Sequence, residues 1–210
     1  MLKTLRFKTF VYAILAGMCI GIGGTVFLSL DNRIVGSALF TIGLFMVCTN
    51  GLNLYTGKVC YVFEKDKSYA LDIPVIWLGN LVGTWLMGTL MNLTRNGPLL
   101  AEKAMGLCRT KLGDDLLSIF ILAVFCNVMI WVGVDAYLRH PHELGKYVGL
   151  FLCIMVFILS GFEHCVANMF YFTVAGAWSG KAFLYLIVMT VGNGVGGVLF
   201  PLLRQWKNKE

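Results

Sequence analysis

The chain has 210 residues, 58% of them hydrophobic and only 13% charged, and a soluble domain of this size has too little interior to hide that much apolar surface. Its formal charge of +6 comes from basic residues scattered over short connections and tails, which argues against a nucleic-acid surface and for residues that set membrane topology. The seven cysteines (19, 48, 60, 108, 126, 153 and 165) mostly lie in apolar runs without Cys-x-x-Cys or Cys/His spacing, so neither a disulfide framework nor a zinc site is expected.

Six apolar segments follow in order, at about 9–30, 34–63, 70–93, 115–138, 147–178 and 181–206. Runs of roughly 20–30 apolar residues specify spanning α-helices rather than the alternating segments of a β-barrel. The first run follows Met1-Leu-Lys-Thr-Leu-Arg-Phe-Lys8 without a small-residue cleavage site and is expected to stay as a helix. Its glycines, Gly17, Gly21, Gly23 and Gly24, read as a packing face.

The second segment is over-long and is interrupted by Thr49-Asn50-Gly51-Leu52-Asn53; Thr56 follows, and a membrane threonine ordinarily bonds back to its own helix. The third holds Gly79-Asn80-Leu81-Val82-Gly83. The connection 94–114 is the longest and is expected to be a loop carrying Cys108, with Lys111 a solvated charge beside Asp114 and Asp115. The fourth segment contains Asn127, and His140 and His142 sit in the solvated 4–5 connection. The fifth is again over-long and is interrupted by Ser160-Gly161-Phe162-Glu163-His164; the sixth holds Gly192-Asn193-Gly194-Val195-Gly196.

The two interruptions and the two G-N-x-V-G runs recur at offsets of 110 and 113 residues. Segments 1–3 therefore relate to segments 4–6, and an odd number of spans per repeat inverts the second copy. The expected fold is an all-α polytopic membrane protein of six transmembrane helices, an inverted 3+3 repeat with broken second and fifth helices. It forms one domain over 1–210, with repeats at about 9–93 and 115–206. With both termini inside, Lys3, Arg6, Lys8, Lys58, Lys65, Lys67, Arg139, Lys146, Arg204, Lys207 and Lys209 lie on the cytoplasmic side, eleven against six outside.

Broken helices of this kind line sites at the bilayer midplane. His164 is the one histidine outside a connection; its alternatives are a neutral core residue and a group that donates a hydrogen bond or proton to a passing weak acid. Glu163 reads as a structural acceptor for backbone N–H groups freed at the break, or else a proton carrier. Asn80, Asn127 and Asn193 read as interhelical hydrogen-bond donors.

The run Gly161-Phe-Glu-His-Cys-Val-Ala-Asn-Met-Phe170, together with Leu54-Tyr55-Thr56-Gly57 and the G-N-x-V-G runs, resembles the formate/nitrite transporter family over essentially the whole chain. The resemblance implies an aquaporin-like pore in each protomer of a homopentamer, conducting formate, nitrite or hydrosulfide across the cell membrane, with no enzyme activity, cofactor, metal or nucleic acid. Carried over by position, it implies Thr56 and His164 as the polar pair at the pore centre. Leu54 and Tyr55 would form the cytoplasmic constriction, and Phe40, Leu44 and Phe157 the outer one. Lys111 aligns with a lysine near the outer entrance, and Asn127 and Asn193 with pore-region asparagines. Many relatives have phenylalanine where this chain has Tyr55, whose hydroxyl would add a polar handle to the inner constriction.

A weak acid could cross two apolar rings neutral, having gained a proton in the vestibule or from His164. Other readings remain open: a pore for small neutral solutes, although no NPA-type turn is present; a haem subunit, whose axial ligands are often paired histidines on spanning helices, where only His164 qualifies; and a membrane scaffold.

Overall fold

The computed structural model describes residues 2–208; Lys209, counted above among the inner basic residues, and the side chain of Lys3 lie outside the described residues. Eleven α-helices and one 3-10 turn make up the described chain. Four of the helices are long and apolar enough to cross a membrane: α1 (Leu2–Ser29), α6 (Asp72–Asn92), α8 (Leu116–Arg139) and α11 (Gly180–Lys207).

The second segment is a string of pieces. α2 (Arg33–Phe40) and α3 (Ile42–Thr49) lead to a break, then α4 (Tyr55–Lys58) runs into the 3-10 turn Val59–Tyr61, with α5 (Lys67–Ala70) ahead of α6. The fifth segment is α9 (Glu143–Leu159), a break, and α10 (Cys165–Val174).

Both breaks fall at the glycines flagged by sequence, and the reason is local. Gly51 and Gly161 have φ of +62° and +70°, the left-handed conformation that terminates a helix. The following N–H then reaches back five residues, from Leu52 to the Val47 carbonyl and from Phe162 to the Phe157 carbonyl, 2.9 Å in each case. This is the Schellman arrangement, and it satisfies carbonyls that a lipid environment would leave unpaired.

The long helices pack in two parallel pairs, α1 with α6 and α8 with α11. Contact positions advance together along each pair. Gly79 meets Ala13 and Gly83 meets Ile14 in the first pair; Gly192 meets Ala123 and Gly196 meets Val124 in the second. A Cβ on Gly83 would fall on the Ile14 carbonyl, and one on Gly196 on the Val124 carbonyl. Glycine there lets two backbones touch. The short helices cross over, α4 onto α8 and α10 onto α6.

The expected loop 94–114 is instead a helix, α7 (Gly97–Gly113), with a proline in its first turn. Leu100, Ala104 and Cys108 lie on one fully buried face, and α7 packs against α10. That face, repeating every four residues, was present in the sequence but weak, because Met105 and Leu107 put apolar side chains on other faces while Glu102, Lys103 and Arg109 interrupt the run. Burial also pushes the Cys108 thiol up to about 11, so it behaves as a small hydrophobe.

Candidate functional site

Each break leaves unpaired N–H and C=O groups, and an asparagine from a neighbouring long helix meets them. Asn80 accepts from the Tyr55 N–H (2.8 Å) and donates to the carbonyls of Ala13 (2.8 Å) and Asn53 (2.9 Å). Asn193 accepts from the Cys165 N–H (2.9 Å) and donates to the carbonyls of Ala123 (2.7 Å) and Glu163 (2.8 Å). An amide has both a donor and an acceptor, which a carboxylate lacks, so it serves the end of one chain segment and the start of the next at once.

This corrects the reading of Glu163. Among the described residues its carboxylate accepts no backbone N–H; it takes Lys111 Nζ (2.7 and 2.8 Å) and Asn168 Nδ2 (2.7 Å). Lys111 is corrected with it. Its side chain is 14% exposed and that of Glu163 is 5%, so the lysine is a buried ion-pair partner. Asp114 and Asp115 instead serve the start of α8, where Asp115 accepts from the N–H groups of Leu117 and Ser118. Lys111 stands in the last turn of α7, a helix that packs against α10.

Thr56 does not bond back to its helix. As the second residue of α4 it has no helical carbonyl four residues earlier, and its Oγ1 lies 2.9 Å from His164 Nε2. His164 is the N-cap of α10, where its Nδ1 accepts from the Ala167 N–H at 3.0 Å. Nδ1 is therefore the unprotonated nitrogen. Nε2 carries the proton and donates it to Thr56 Oγ1, leaving the threonine hydroxyl hydrogen free to donate. Asn127 bonds the Thr56 carbonyl (3.1 Å) and the Asn193 carbonyl (2.7 Å), tying the pair to α8 and α11.

Two cavities lie near this pair, one bordered by His164 and the other by Leu54 and Gly57, the residues on either side of Tyr55-Thr56. The smaller, about 80 Å³, is bordered by Phe40, Phe157, Lys111, His164 and Asn168, with Arg33 at its exposed rim. Phe40 and Phe157 meet edge to face at 6.1 Å, and the His164 ring stacks on Phe157 at 5.7 Å. The larger, about 380 Å³, is bordered by Leu44, Leu54, Lys58, Lys65, Glu64 and Arg139. Leu44, grouped above with Phe40 and Phe157, thus stands beside Leu54 on the larger cavity. The Tyr55 hydroxyl donates to the Thr190 carbonyl at 3.0 Å, so it fastens α4 to α11 rather than offering a free polar handle.

Sequence reasoning left Asn80 and Asn168 out of the site. Asn80 carried a signal in the repeated G-N-x-V-G run, and Asn168 in the run from Gly161 to Phe170. His140 and His142 lie apart from the site, in the connection before α9.

A family model for formate/nitrite transporters matches residues 2–207. The uncharacterized transporter YrhG of Bacillus subtilis (strain 168) is 31% identical, over 80% of this chain and 69% of its own length. The nitrite transporter NirC of Escherichia coli (strain K12) is 26% identical, over 93% of this chain and 81% of its own. The formate channel FocA of the same strain is 26% identical, over 95% and 85% respectively. A solved pentameric formate channel with formate bound superposes with a TM-score of 0.84 at 25% identity, covering 100% of this chain and 99% of that one.

Proposed function

This chain belongs to the formate/nitrite transporter family of membrane transport proteins, and from that premise we propose that it is a channel for a small monovalent anion of a weak acid, formate or nitrite. The observation that carries the reading is the Thr56–His164 pair, a buried hydrogen-bonded donor set whose histidine borders the smaller cavity, with one hydroxyl hydrogen unused. Leu54 and Leu44 form the apolar ring on one side and Phe40 with Phe157 the ring on the other. An anion crossing either ring gives up its water, which costs several kcal/mol unless donors replace it. The Thr56 hydroxyl and the amino terminus of α10 supply such donors, and the Lys111–Glu163–Asn168 set holds His164 and α10 in place.

Protonation lowers the barrier further, because the neutral acid crosses an apolar ring far more cheaply. In this geometry the proton comes from the vestibule water. A proton on His164 Nδ1 would have to displace the Ala167 N–H that caps α10. Flux therefore follows the external supply of protons, with His164 as a fixed donor.

The single domain consists of two inverted halves of three spans each, about 9–93 and 115–206. Support comes from the matching bonds at the two breaks: the partners Ala13, Asn53 and Tyr55 recur 110 residues later as Ala123, Glu163 and Cys165. On the count of basic residues both termini face the cytoplasm and the larger cavity, bordered by Lys58, Lys65 and Arg139, opens inward. Five copies assemble; the support is the pentameric state of the formate channel with the same fold.

The test is flux of formate, nitrite and hydrosulfide into proteoliposomes from an acidic and from a neutral bath, with wild type and His164→Ala. Saturable flux of one anion that rises on acidification and falls in the variant supports the reading. Passage of neutral solutes with no anion flux at either pH defeats it.

A further inference from the structure

The larger cavity carries charge that the channel reading leaves unused. Lys58 lies one turn beyond Leu54, and its N–H donates to the Leu54 carbonyl at 2.9 Å. Its own carbonyl accepts the Tyr69 hydroxyl, also at 2.9 Å, so its main chain is anchored on both sides. The side chain borders the cavity, half-buried, and among the described residues its ammonium makes no hydrogen bond or ion pair.

The neighbouring charges differ. Arg139, on the same cavity, is held by Asp135 (3.2 Å) and Glu64 (3.6 Å). Lys65 is exposed at the rim and makes no ion pair among the described residues. On the His164 side the buried ammonium of Lys111 is neutralised by Glu163. The uncompensated cation next to an apolar ring is therefore Lys58, and it stands on the Leu54 side.

We propose that Lys58, fed by Lys65 at the rim, is an anion-recruiting station that concentrates substrate at the Leu54 constriction, an inference that rests on the channel reading. A cation in a concave, low-dielectric cavity focuses its field and raises the local concentration of a small anion by about tenfold or more. It acts before the barrier and makes no contact at its top. It therefore lowers the concentration needed for half-maximal flux, leaves the maximal rate alone, and weakens as salt screens it.

The experiment is a formate concentration series in proteoliposomes oriented with the larger cavity toward the bath, at low and high ionic strength. Wild type is compared with Lys58→Met, Lys58→Gln, Lys58→Arg and Lys65→Met, and elution in detergent reports folding. The neutral variants at 58 are expected to raise the half-saturating concentration about tenfold with an unchanged maximum and a flattened salt dependence. Arginine restores both, and Lys65→Met gives a smaller shift. If a folded neutral variant keeps the wild-type half-saturation and salt dependence, the proposal is overturned. It is also overturned if arginine behaves like methionine, which would mark a packing role. Wild type that passes no small anion would instead sink the channel reading itself, and this inference with it.

Discussion

The two helix breaks solve one backbone problem with the same residues and then diverge in chemistry. At residues 50–54 and 160–164 a left-handed glycine ends the first helix, and an asparagine from a long helix bridges the gap to the next. The side chains at matching positions share nothing. Asn53, Leu54, Thr56 and Lys58 stand where Glu163, His164, Val166 and Asn168 stand 110 residues later. Asn53 is neutral and reaches the Thr9 carbonyl (3.2 Å), while Glu163 is charged and paired with a buried lysine. The scaffold repeats where backbone groups must be satisfied, and the candidate site lies where the repeat fails.

The most severe way to break this likeness is to remove a bridging amide. Asn80→Leu or Asn193→Leu removes three hydrogen bonds and strands two backbone groups, the N–H and the C=O at the break, each worth about 1–3 kcal/mol when buried without a partner. Both variants should fail to yield folded protein in detergent, and to the same degree. A stable, monodisperse Asn80→Leu protein would show that the first break does not depend on its amide.

Next comes the charge found at one break alone. Glu163→Gln or Lys111→Met leaves the other member buried and unpaired, at a cost of about 3–5 kcal/mol. The joint replacement Lys111→Met with Glu163→Gln should recover much of that loss in thermal unfolding. If both single variants unfold at the wild-type temperature, the pair contributes nothing to the fold.

Gly51→Ala and Gly161→Ala sharpen the comparison from the backbone side. A Cβ at either position would meet nothing within 4 Å, so the whole penalty is the left-handed conformation, about 1–2 kcal/mol. Equal shifts at the two sites are expected. A much larger shift at one would mean that its break is held by something besides its glycine.

The smallest effect lies outside both breaks. Lys103 bonds the exposed Asp31 at 2.8 Å and, through that bond and its charge, holds the carboxyl below its ordinary value. A lowered carboxyl contributes stability above the ordinary range and loses it as pH falls through the lowered value. Because the group is fully exposed, Lys103→Ala should leave the unfolding temperature within measurement scatter at neutral pH and remove only a slight acid-side dependence.

Some of this was legible in the residues alone. The breaks could be read because glycine amid polar residues inside an apolar run is a local signal, and local signals survive without a fold. Thr56 and His164 were singled out by motif and meet at 2.9 Å. α7 was missed because its buried face, Leu100, Ala104 and Cys108, consists of one large and two small residues, and Met105 and Leu107 blur the period from other faces. Lys111 was misread because the two aspartates near it in sequence are not its partners.

Composition, length of apolar runs and the 110-residue recurrence thus determined by themselves that this is a helical membrane protein with two interrupted segments, since each is a property of the chain read in order. Which groups meet was decided only by tertiary structure. Thr56 finds His164 across 108 residues, Lys111 finds Glu163 across 52, and Tyr55 finds Thr190 across 135. Hydropathy and periodicity carry no information about partners at such separations. Helix packing selects them, by bringing together polar groups that lipid would leave unpaired.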